Sequence, residues 1–190
     1  GDAIFTTNFS FFATTEVISL VGATPVFVDI DKKTFNIDPE LLEQKIEITI
    51  QNSKLKPKAI IAVNLFGHPA YLGQLRNIAD ERGLYLIEDN AQAPLGNEYG
   101  IPCGTIGDIG VFSLNYHKHI HSGEGGICVT NDKKIYEKLL LYKNNGITNN
   151  KKNFISKNLG PWYYEQHCLG YNFRISEIQA ALGISQLKKL

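Results

Sequence analysis

Short apolar runs that alternate with amphipathic segments are the feature that most constrains how this chain folds. The runs have strand length and β-branched or aromatic character, and they occupy residues 3–7, 25–31, 59–65, 84–87, 109–114 and 127–130. Segments with helical periodicity separate the first four runs, at residues 12–21, 38–46 and 71–82. Strands separated by helices of this size imply right-handed crossovers and a mostly parallel sheet. The predicted fold class is therefore α/β.

Local signals support several of these helix ends. Asp38, Pro39 and Glu40 form an N-cap, a proline at the first helical position and a first-turn acid, which predict a helix from there to about residue 46. Gly22 and Gly83 follow the helices on either side of it and are expected to end them. The next segment, 54–58, is basic and polar and is predicted to be a connection.

The last third of the chain is less regular. Residues 132–144 predict a helix with a basic outer face, and residues 176–190 predict an amphipathic helix with apolar side chains at intervals of three and four. Between them, residues 145–170 are rich in Asn, Lys, Gly and aromatic residues and have no clear period. We expect either a long functional loop or a partly mobile excursion there.

Composition excludes several classes of function. Nineteen basic and nineteen acidic residues give a formal net charge of zero, which does not indicate a nucleic-acid partner or an anionic membrane surface. The three cysteines are far apart and fit a reducing cytoplasm better than a disulfide framework. The apolar runs are much shorter than the roughly 20 residues of a membrane helix, and the first residues carry no export signal. We expect a soluble cytoplasmic protein.

A loop with a lysine carries the clearest chemical signal. Lys118 lies between the apolar runs 109–114 and 127–130, and Gly123, Gly125 and Gly126 follow it in a turn. A lysine amine forms a Schiff base with an aldehyde such as pyridoxal phosphate (PLP). The alternative is a solvated surface charge.

Other residues could complete a PLP site, because ligands of parallel sheets bind beyond the carboxyl ends of the strands. Asp31, Asn64 and Asp89 fall at the carboxyl ends of predicted strands, and they predict a polar sheet edge. Asp89 could hold the protonated ring nitrogen that PLP needs to act as an electron sink, and Ser113, at the end of the strand before Lys118, could bind phosphate. The alternative for Asp89 is a cap of a helix or turn.

Four ordered motifs resemble a known family. The runs EDNAQAPLG, GDIGVFSLNYHKHIHSGEGG and LGYNFRISEIQAALGISQLKKL are similar to those of the DegT/DnrJ family of PLP-dependent sugar aminotransferases, and residues 1–31 look like that family's first strand, helix and strand. The resemblance implies the aspartate-aminotransferase fold type, with three α/β/α layers. It also implies that residues 1–190 are the PLP-binding large domain of a longer protein, with an N-terminal segment and a small C-terminal domain missing.

The resemblance implies a role for six residues. Lys118 would be the Schiff-base lysine, Asp89 would hold the pyridine nitrogen, and Gln92 would lie near the 3-oxygen of the ring. The others would be Phe11 covering the ring, Ser113 binding the phosphate, and Asn172 reaching the phosphate held by the other subunit of a homodimer with shared active sites. The implied reaction moves an amino group from an amino acid donor, with glutamate as the expected donor, to a nucleotide-linked keto-sugar for cell-surface polysaccharide or related sugar biosynthesis.

Three alternatives remain open on the sequence. The same fold could act on a small keto compound without a nucleotide. It could also belong to a binding protein without catalysis. Lastly, His117, His119 and His121 alternate, so an extended segment would place their rings on one face as a three-nitrogen metal site. The alternative for these histidines is a partly exposed loop.

Overall fold

A six-stranded sheet organises the computed structural model, which describes residues 1–156 and 160–190. The strands are β1 (Asp2–Thr7), β2 (Thr24–Val28), β3 (Lys56–Val63), β4 (Tyr85–Asp89), β5 (Asn97–Glu98), β6 (Ile101–Pro102), β7 (Ile109–Ser113), β8 (Gly126–Val129), β9 (Ile147–Thr148) and β10 (Glu165–Gln166). The α-helices are α1 (Ala13–Leu20), α2 (Pro39–Asn52), α3 (Leu72–Arg82), α4 (Lys133–Tyr142) and α5 (Glu177–Leu187), and Leu65–Gly67 and Lys151–Asn153 are 3-10 turns.

The topology of the sheet confirms the predicted α/β class. Its strand order is β2-β1-β3-β4-β7-β8, with parallel pairing throughout except between β7 and β8, which are antiparallel. The pairs β5–β6 and β9–β10 form two small antiparallel sheets outside it. The core lies where α2 and α3 pack on the central strands, and its fully buried side chains include Phe5, Leu42, Ile60, Leu75 and Leu86. Within the described residues, no helix has both the length and the apolarity to cross a membrane.

The helix that begins after Asp38 is longer than the sequence indicated. The N-cap is confirmed, because the Asp38 carboxylate accepts the backbone N–H groups of Glu40 and Leu41. The predicted end near residue 46 is wrong, since α2 continues to Asn52 through β-branched residues that favour helices poorly. Of these residues Thr49 faces the core, since it is 7% exposed, whereas Ile48 and Ile50 are about half exposed.

The boundaries of two strands also differ from the prediction. β3 begins at Lys56, inside the predicted connection 54–58, because Lys56 and Pro57 pair with Asp2 and Ala3 of β1. β2 ends at Val28, the partner of Thr7, and does not reach Asp31. In both cases the neighbouring strand decides where pairing starts or stops.

The aperiodic segment 145–170 has more structure than a long loop, although its residues 157–159 lie outside the described part. Its strands β9 and β10 pair antiparallel, with Thr148 opposite Glu165. The predicted helix 176–190 is confirmed as α5, with a capping box between Ser176 and Gln179. Its apolar stripe is largely uncovered in this chain, since Ile178 is 83% exposed.

Candidate active site

The parallel strands end at one edge of the sheet, where the sequence predicted polar residues. Val63 of β3, Asp89 of β4 and Val111 of β7 are register partners, so the ends of these strands lie side by side. Asp31 does not reach this edge as a strand end: its carboxylate caps its own turn, where the hydrogen bond from the Thr34 backbone lowers its pKa despite some desolvation. The edge is therefore built around the end of β4.

Asp89 is half-buried and held at two points. The hydroxyl of Thr14 donates to Oδ2 at 2.8 Å, and the backbone N–H of Ala91 donates to Oδ1 at 3.1 Å. Thr14 lies in α1, and the sequence contains no local signal that links positions 14 and 89. The two bonds orient a carboxylate at the sheet edge.

Gln92, three residues further along, is also fixed. Its Oε1 accepts the backbone N–H of Phe66 at 3.0 Å. Between them in the chain, the side chain of Asn90 is buried and accepts a hydrogen bond from the Asn64 amide at 2.6 Å. Asn64 was predicted at a strand end. In the structure it follows β3, and its side chain binds Asn90, the residue after β4.

Lys118 and Ser113 share a cavity of about 210 Å³ whose walls also include Asn90 and Ala91. The Lys118 side chain is half-buried, and a turn from its backbone N–H to the Asn115 carbonyl oxygen, at 2.8 Å, fixes its position. In residues 1–156 and 160–190, no ion pair involves the Lys118 amine. A lysine at a cavity without a charge partner has its amine available to a ligand.

The structure does not bring all the predicted residues into this cavity. Asp89 and Gln92 lie at the adjacent strand end and are not among the cavity-lining residues of the described chain. Phe11 is 63% exposed, with its ring 4.3 Å from that of Phe12. Asn172 is exposed and forms a backbone bridge with Asn144.

The three histidines do not form the extended face that a metal site would need. A turn at Tyr116 and His117 and a bend from Lys118 interrupt the segment, and the His117 ring lies 3.9 Å from that of Tyr116. His117 and His119 are exposed, whereas Nδ1 of His121 is buried and lacks a hydrogen-bond partner among the described residues. The described part of the chain contains no cluster of His, Cys, Asp or Glu that could hold a metal ion.

Sequence reasoning missed the strongest support of this edge, which is Glu88. Its side chain is completely buried, and its carboxylate accepts the backbone N–H groups of Gly104, Ile106 and Gly107 at 2.5–2.9 Å. A glutamate beside an aspartate at a strand end indicates polarity, but the sequence does not show that a loop 16 residues away wraps around it. This loop leads directly into β7.

A mostly parallel sheet with a lysine loop and an aspartate at its carboxyl edge is the arrangement expected of the PLP-dependent transferase fold. The model of the DegT/DnrJ/EryC1/StrS aminotransferase family matches residues 1–190, and the chain belongs to this family. The resemblance drawn from the four motifs is thereby confirmed.

Related proteins are similar to this chain over its whole length. GDP-perosamine synthase of Escherichia coli O157:H7 is 37% identical over 190 residues, which are 100% of this chain and 47% of that protein. A DegT DnrJ EryC1 StrS aminotransferase from Brucella abortus superimposes with a TM-score of 0.89 at 37% identity, over 99% of this chain and 48% of that one. The PLP-form of the putative sugar aminotransferase Spr1654 from Streptococcus pneumoniae superimposes with a TM-score of 0.82 at 28% identity. The match covers 100% of this chain and 49% of that one. The chain spans about half the length of the relatives it matches.

Proposed function

We propose that this chain is the large domain, residues 1–190, of a PLP-dependent aminotransferase that moves an amino group from an amino acid donor, with glutamate as the expected donor, to a nucleotide-linked keto-sugar. The observation that carries the proposal is Lys118, a half-buried residue that lines a cavity at the same sheet edge as the Asp89 carboxylate, which Thr14 fixes. The GDP-linked sugar in the name of the Escherichia coli relative supports this substrate class.

The residues at the edge fit PLP by their chemistry. Lys118 would bond to the aldehyde, Asp89 would pair with the ring nitrogen, and Ser113 would bind the phosphate. Gln92 would lie beside the ring oxygen, and Phe11, which this chain leaves exposed, would cover the ring face. When bound, PLP supplies an electron sink for the carbon that loses or gains the amino group.

The chain's own residues would supply the fixed charge, the proton transfer and the exclusion of water. Asp89, held by Thr14 and by the Ala91 N–H, keeps a negative charge at a fixed place, which favours a protonated ring nitrogen. The Lys118 Nζ supplies a basic amine that can take up and return a proton inside the cavity. Apolar side chains such as Phe112, Ile120 and Ile127 form much of the cavity wall and limit the access of water.

The assignment of Lys118 is tested by reduction. Full-length protein loaded with PLP is treated with borohydride and digested, and the pyridoxyl mass is expected on the peptide that holds Lys118. Lys118→Ala is expected to abolish turnover with the fold nearly intact, whereas Lys138→Ala, at an exposed position of α4, is expected to leave turnover unchanged. A label on another lysine would overturn the assignment.

The charge of Asp89 is tested separately. Asp89→Asn keeps the shape and removes the charge, and we expect transamination to fall by at least about two orders of magnitude, the scale of losing a positioned electrostatic group. PLP binding, followed by its visible absorption, should persist. Transamination near the normal rate would contradict the role of Asp89.

We further propose a cytoplasmic homodimer in which Asn172 reaches the neighbouring subunit's phosphate. Trp162 and Tyr164 are 75% and 58% exposed, and such aromatic patches often mark interfaces. Mixing the full-length variants Lys118→Ala and Asn172→Ala, both expected to be inactive, should restore one complete site in each mixed dimer. A mixture that stays inactive after verified subunit exchange, or full activity of Asn172→Ala alone, would contradict shared sites.

The substrate class is decided by product mass. Full-length protein is incubated with glutamate and a panel of keto-sugars linked to GDP, UDP or dTDP, together with small keto acids. We expect an amino-sugar nucleotide as product. Amination of the small keto acids alone would replace this substrate class with the smaller one.

A further inference from the structure

The loop after β3 is held more firmly than its exposure would suggest. Two completely buried side chains, Asn36 and Asn64, fix residues 64–70, which we name the clamped segment. Asn36 accepts the backbone N–H of Leu65 at 3.0 Å and donates to the carbonyl oxygens of His68 and Pro69 at 3.0 and 3.2 Å. Asn64 accepts the backbone N–H of Ala70 at 2.9 Å. The backbone is thus tied at both ends of the segment.

The residue between these ties has an unusual conformation. Phe66 has φ of 54°, in the left-handed region, and its side chain is 76% exposed. A bulky residue adopts this region at an energetic cost, and it persists there where the surroundings over-determine the backbone. The consequence is the direction of its backbone N–H, which donates to Oε1 of Gln92 at 3.0 Å.

This single bond determines which end of the Gln92 carboxamide is available. A glutamine amide has an accepting oxygen at one end and a donating amino group at the other. A backbone N–H can only donate, so the oxygen must face Phe66. The amino group is then the end left to a ligand, and a rotation of 180° would place two donors against each other.

We propose that Asn36 and Asn64 are positioning residues: through the N–H of Phe66 they hold Gln92 with its amino group as a hydrogen-bond donor to the ring oxygen of PLP. This rests on the proposed function for the identity of the ligand only. A purely structural role for the two asparagines would stabilise the loop without any effect on Gln92.

The first experiment needs no cofactor. Amide hydrogen exchange of the full-length, PLP-free protein is compared for Gln92→Leu, which removes the acceptor, and Gln92→Glu, which keeps an oxygen facing Phe66. Exchange at Phe66 is expected to rise about five- to tenfold in Gln92→Leu, the scale of one hydrogen bond, and to stay slow in Gln92→Glu. The Leu65 and Ala70 amides should be unaffected in both. Unchanged exchange at Phe66 in Gln92→Leu would overturn the proposal, even if PLP were not the cofactor.

The second experiment follows the visible absorption of bound PLP against pH. A donor stabilises the ionised ring oxygen, so its loss in Gln92→Leu and Gln92→Glu should raise the midpoint of the absorption change. Asn36→Ala should raise the midpoint in the same direction, and it should add nothing in the Gln92→Leu background, because both changes act through one residue. An equal shift in both backgrounds would overturn the positioning role.

A matched control separates positioning from lost stability. Thr49→Val also removes a buried hydrogen bond from a side chain to the backbone, within α2 and outside the clamped segment. It should leave the absorption midpoint unmoved, whatever its effect on stability, and a shift in this variant would contradict the proposal. Should Asn36→Ala not fold, unchanged exchange at Phe66 in Gln92→Leu would still overturn the proposal, because the asparagines are proposed to act through this one hydrogen bond.

Discussion

Two glutamates, each surrounded by backbone N–H groups, organise very different regions of this molecule. Glu88 lies in β4 in the middle of the sheet, is completely buried, and binds the N–H groups of a loop 16 to 19 residues away. That loop leads into β7 and from there to Lys118. The first carboxylate therefore joins distant parts of the chain at the candidate site.

Glu165 also accepts backbone N–H groups, but from residues close to it in the sequence. It lies in β10 and accepts the N–H groups of Ile155 and Ser156, 10 and 9 residues away, at 2.8 and 2.9 Å. The Tyr163 hydroxyl donates to the same carboxylate, and Nε2 of His167 lies 2.8 Å from it. The bonded residues all belong to the aperiodic segment 145–170.

The difference between the two carboxylates lies in what depends on them. Loss of the Glu88 carboxylate leaves three backbone N–H groups without an acceptor in the protein interior. The free-energy cost of a buried donor without a partner exceeds what its hydrogen bond contributed. Loss of Glu165 leaves groups that water can reach. We therefore expect global consequences at Glu88 and local ones at Glu165.

The largest effect is expected for Glu88→Gln. One amide oxygen replaces two charged oxygens, and the new amino group faces an N–H donor, so the free energy of unfolding should fall by about 2–4 kcal/mol. Denaturant unfolding of the full-length protein measures it. Glu98→Gln is the control, because its partly exposed carboxylate binds one backbone N–H, that of Gly73, and should cost under about 1 kcal/mol.

The thiol of Cys103 provides an independent report on the same variant. Burial raises its pKa to about 11, with smaller contributions from the carboxylates of Glu88 and Glu98. Alkylation at neutral pH should be slow in the parent protein and faster in Glu88→Gln, since the loop around Gly104 opens. If the parent protein and Glu88→Gln are alkylated at equal rates and are equally stable, the buried Glu88 carboxylate does not hold the loop around Gly104.

The next effect tests the local region through Gly146. This residue has φ of 71°, and an added Cβ would lie 1.8 Å from the backbone oxygen of Cys168. Gly146→Ala should therefore cost about 1–3 kcal/mol, the range of overpacking, and should expose the segment 145–170 to limited proteolysis while the sheet stays protected.

Gly100→Ala is the matched control for Gly146→Ala. Gly100 has a similar φ of 87°, but an added Cβ would meet nothing within 4 Å. It should show the backbone cost without the clash, so the difference between the two variants isolates the contact with Cys168. Similar proteolysis of both variants would contradict the packing of the segment 145–170.

The contrast also explains what the sequence could predict. The mostly parallel sheet follows from alternating strands and helices, although its strand order was not predicted. Lys118, Asp89 and Gln92 stand in motifs whose family was confirmed. Side-chain hydrogen bonds to residues far along the chain leave no local sequence pattern, so the bond from Thr14 to the Asp89 carboxylate and the backbone bonds of Glu88 and Asn36 were missed. The same cause hid β9 and β10, because Glu165 and its neighbours hold an aperiodic stretch that has neither helical nor strand periodicity.

A smaller effect is expected for Thr14→Val, which removes the hydroxyl bonded to Asp89. The carboxylate keeps the Ala91 N–H, so the variant should lose only about 1 kcal/mol, or roughly fivefold in kcat/KM, the scale of a single hydrogen bond. Thr15→Val, one residue along α1, is the control and should leave kcat/KM unchanged. If the two variants behave alike, the Thr14 hydroxyl does not orient Asp89.

The smallest effect on the whole molecule is expected from protonation of Glu165. The N–H of Ser156 contributes most to lowering its pKa from 4.5 to about 2, burial opposes it as the second-largest effect, and His167, Ile155 and Tyr163 lower the pKa further. Because the folded state binds the proton less readily than the unfolded state, this stabilisation is complete above about pH 4.5 and disappears as the pH falls towards 2.

Glu165→Gln has no carboxylate to protonate, so the segment around Ile155 and Ser156 should be less protected at neutral pH and should not change further in acid. Hydrogen-exchange protection of the Ile155 and Ser156 amides, corrected for intrinsic rates, measures both proteins between pH 7 and 2. Protection in the parent should converge on that of the variant near pH 2, and a parent that keeps its full advantage there would show that the carboxylate does not hold this segment.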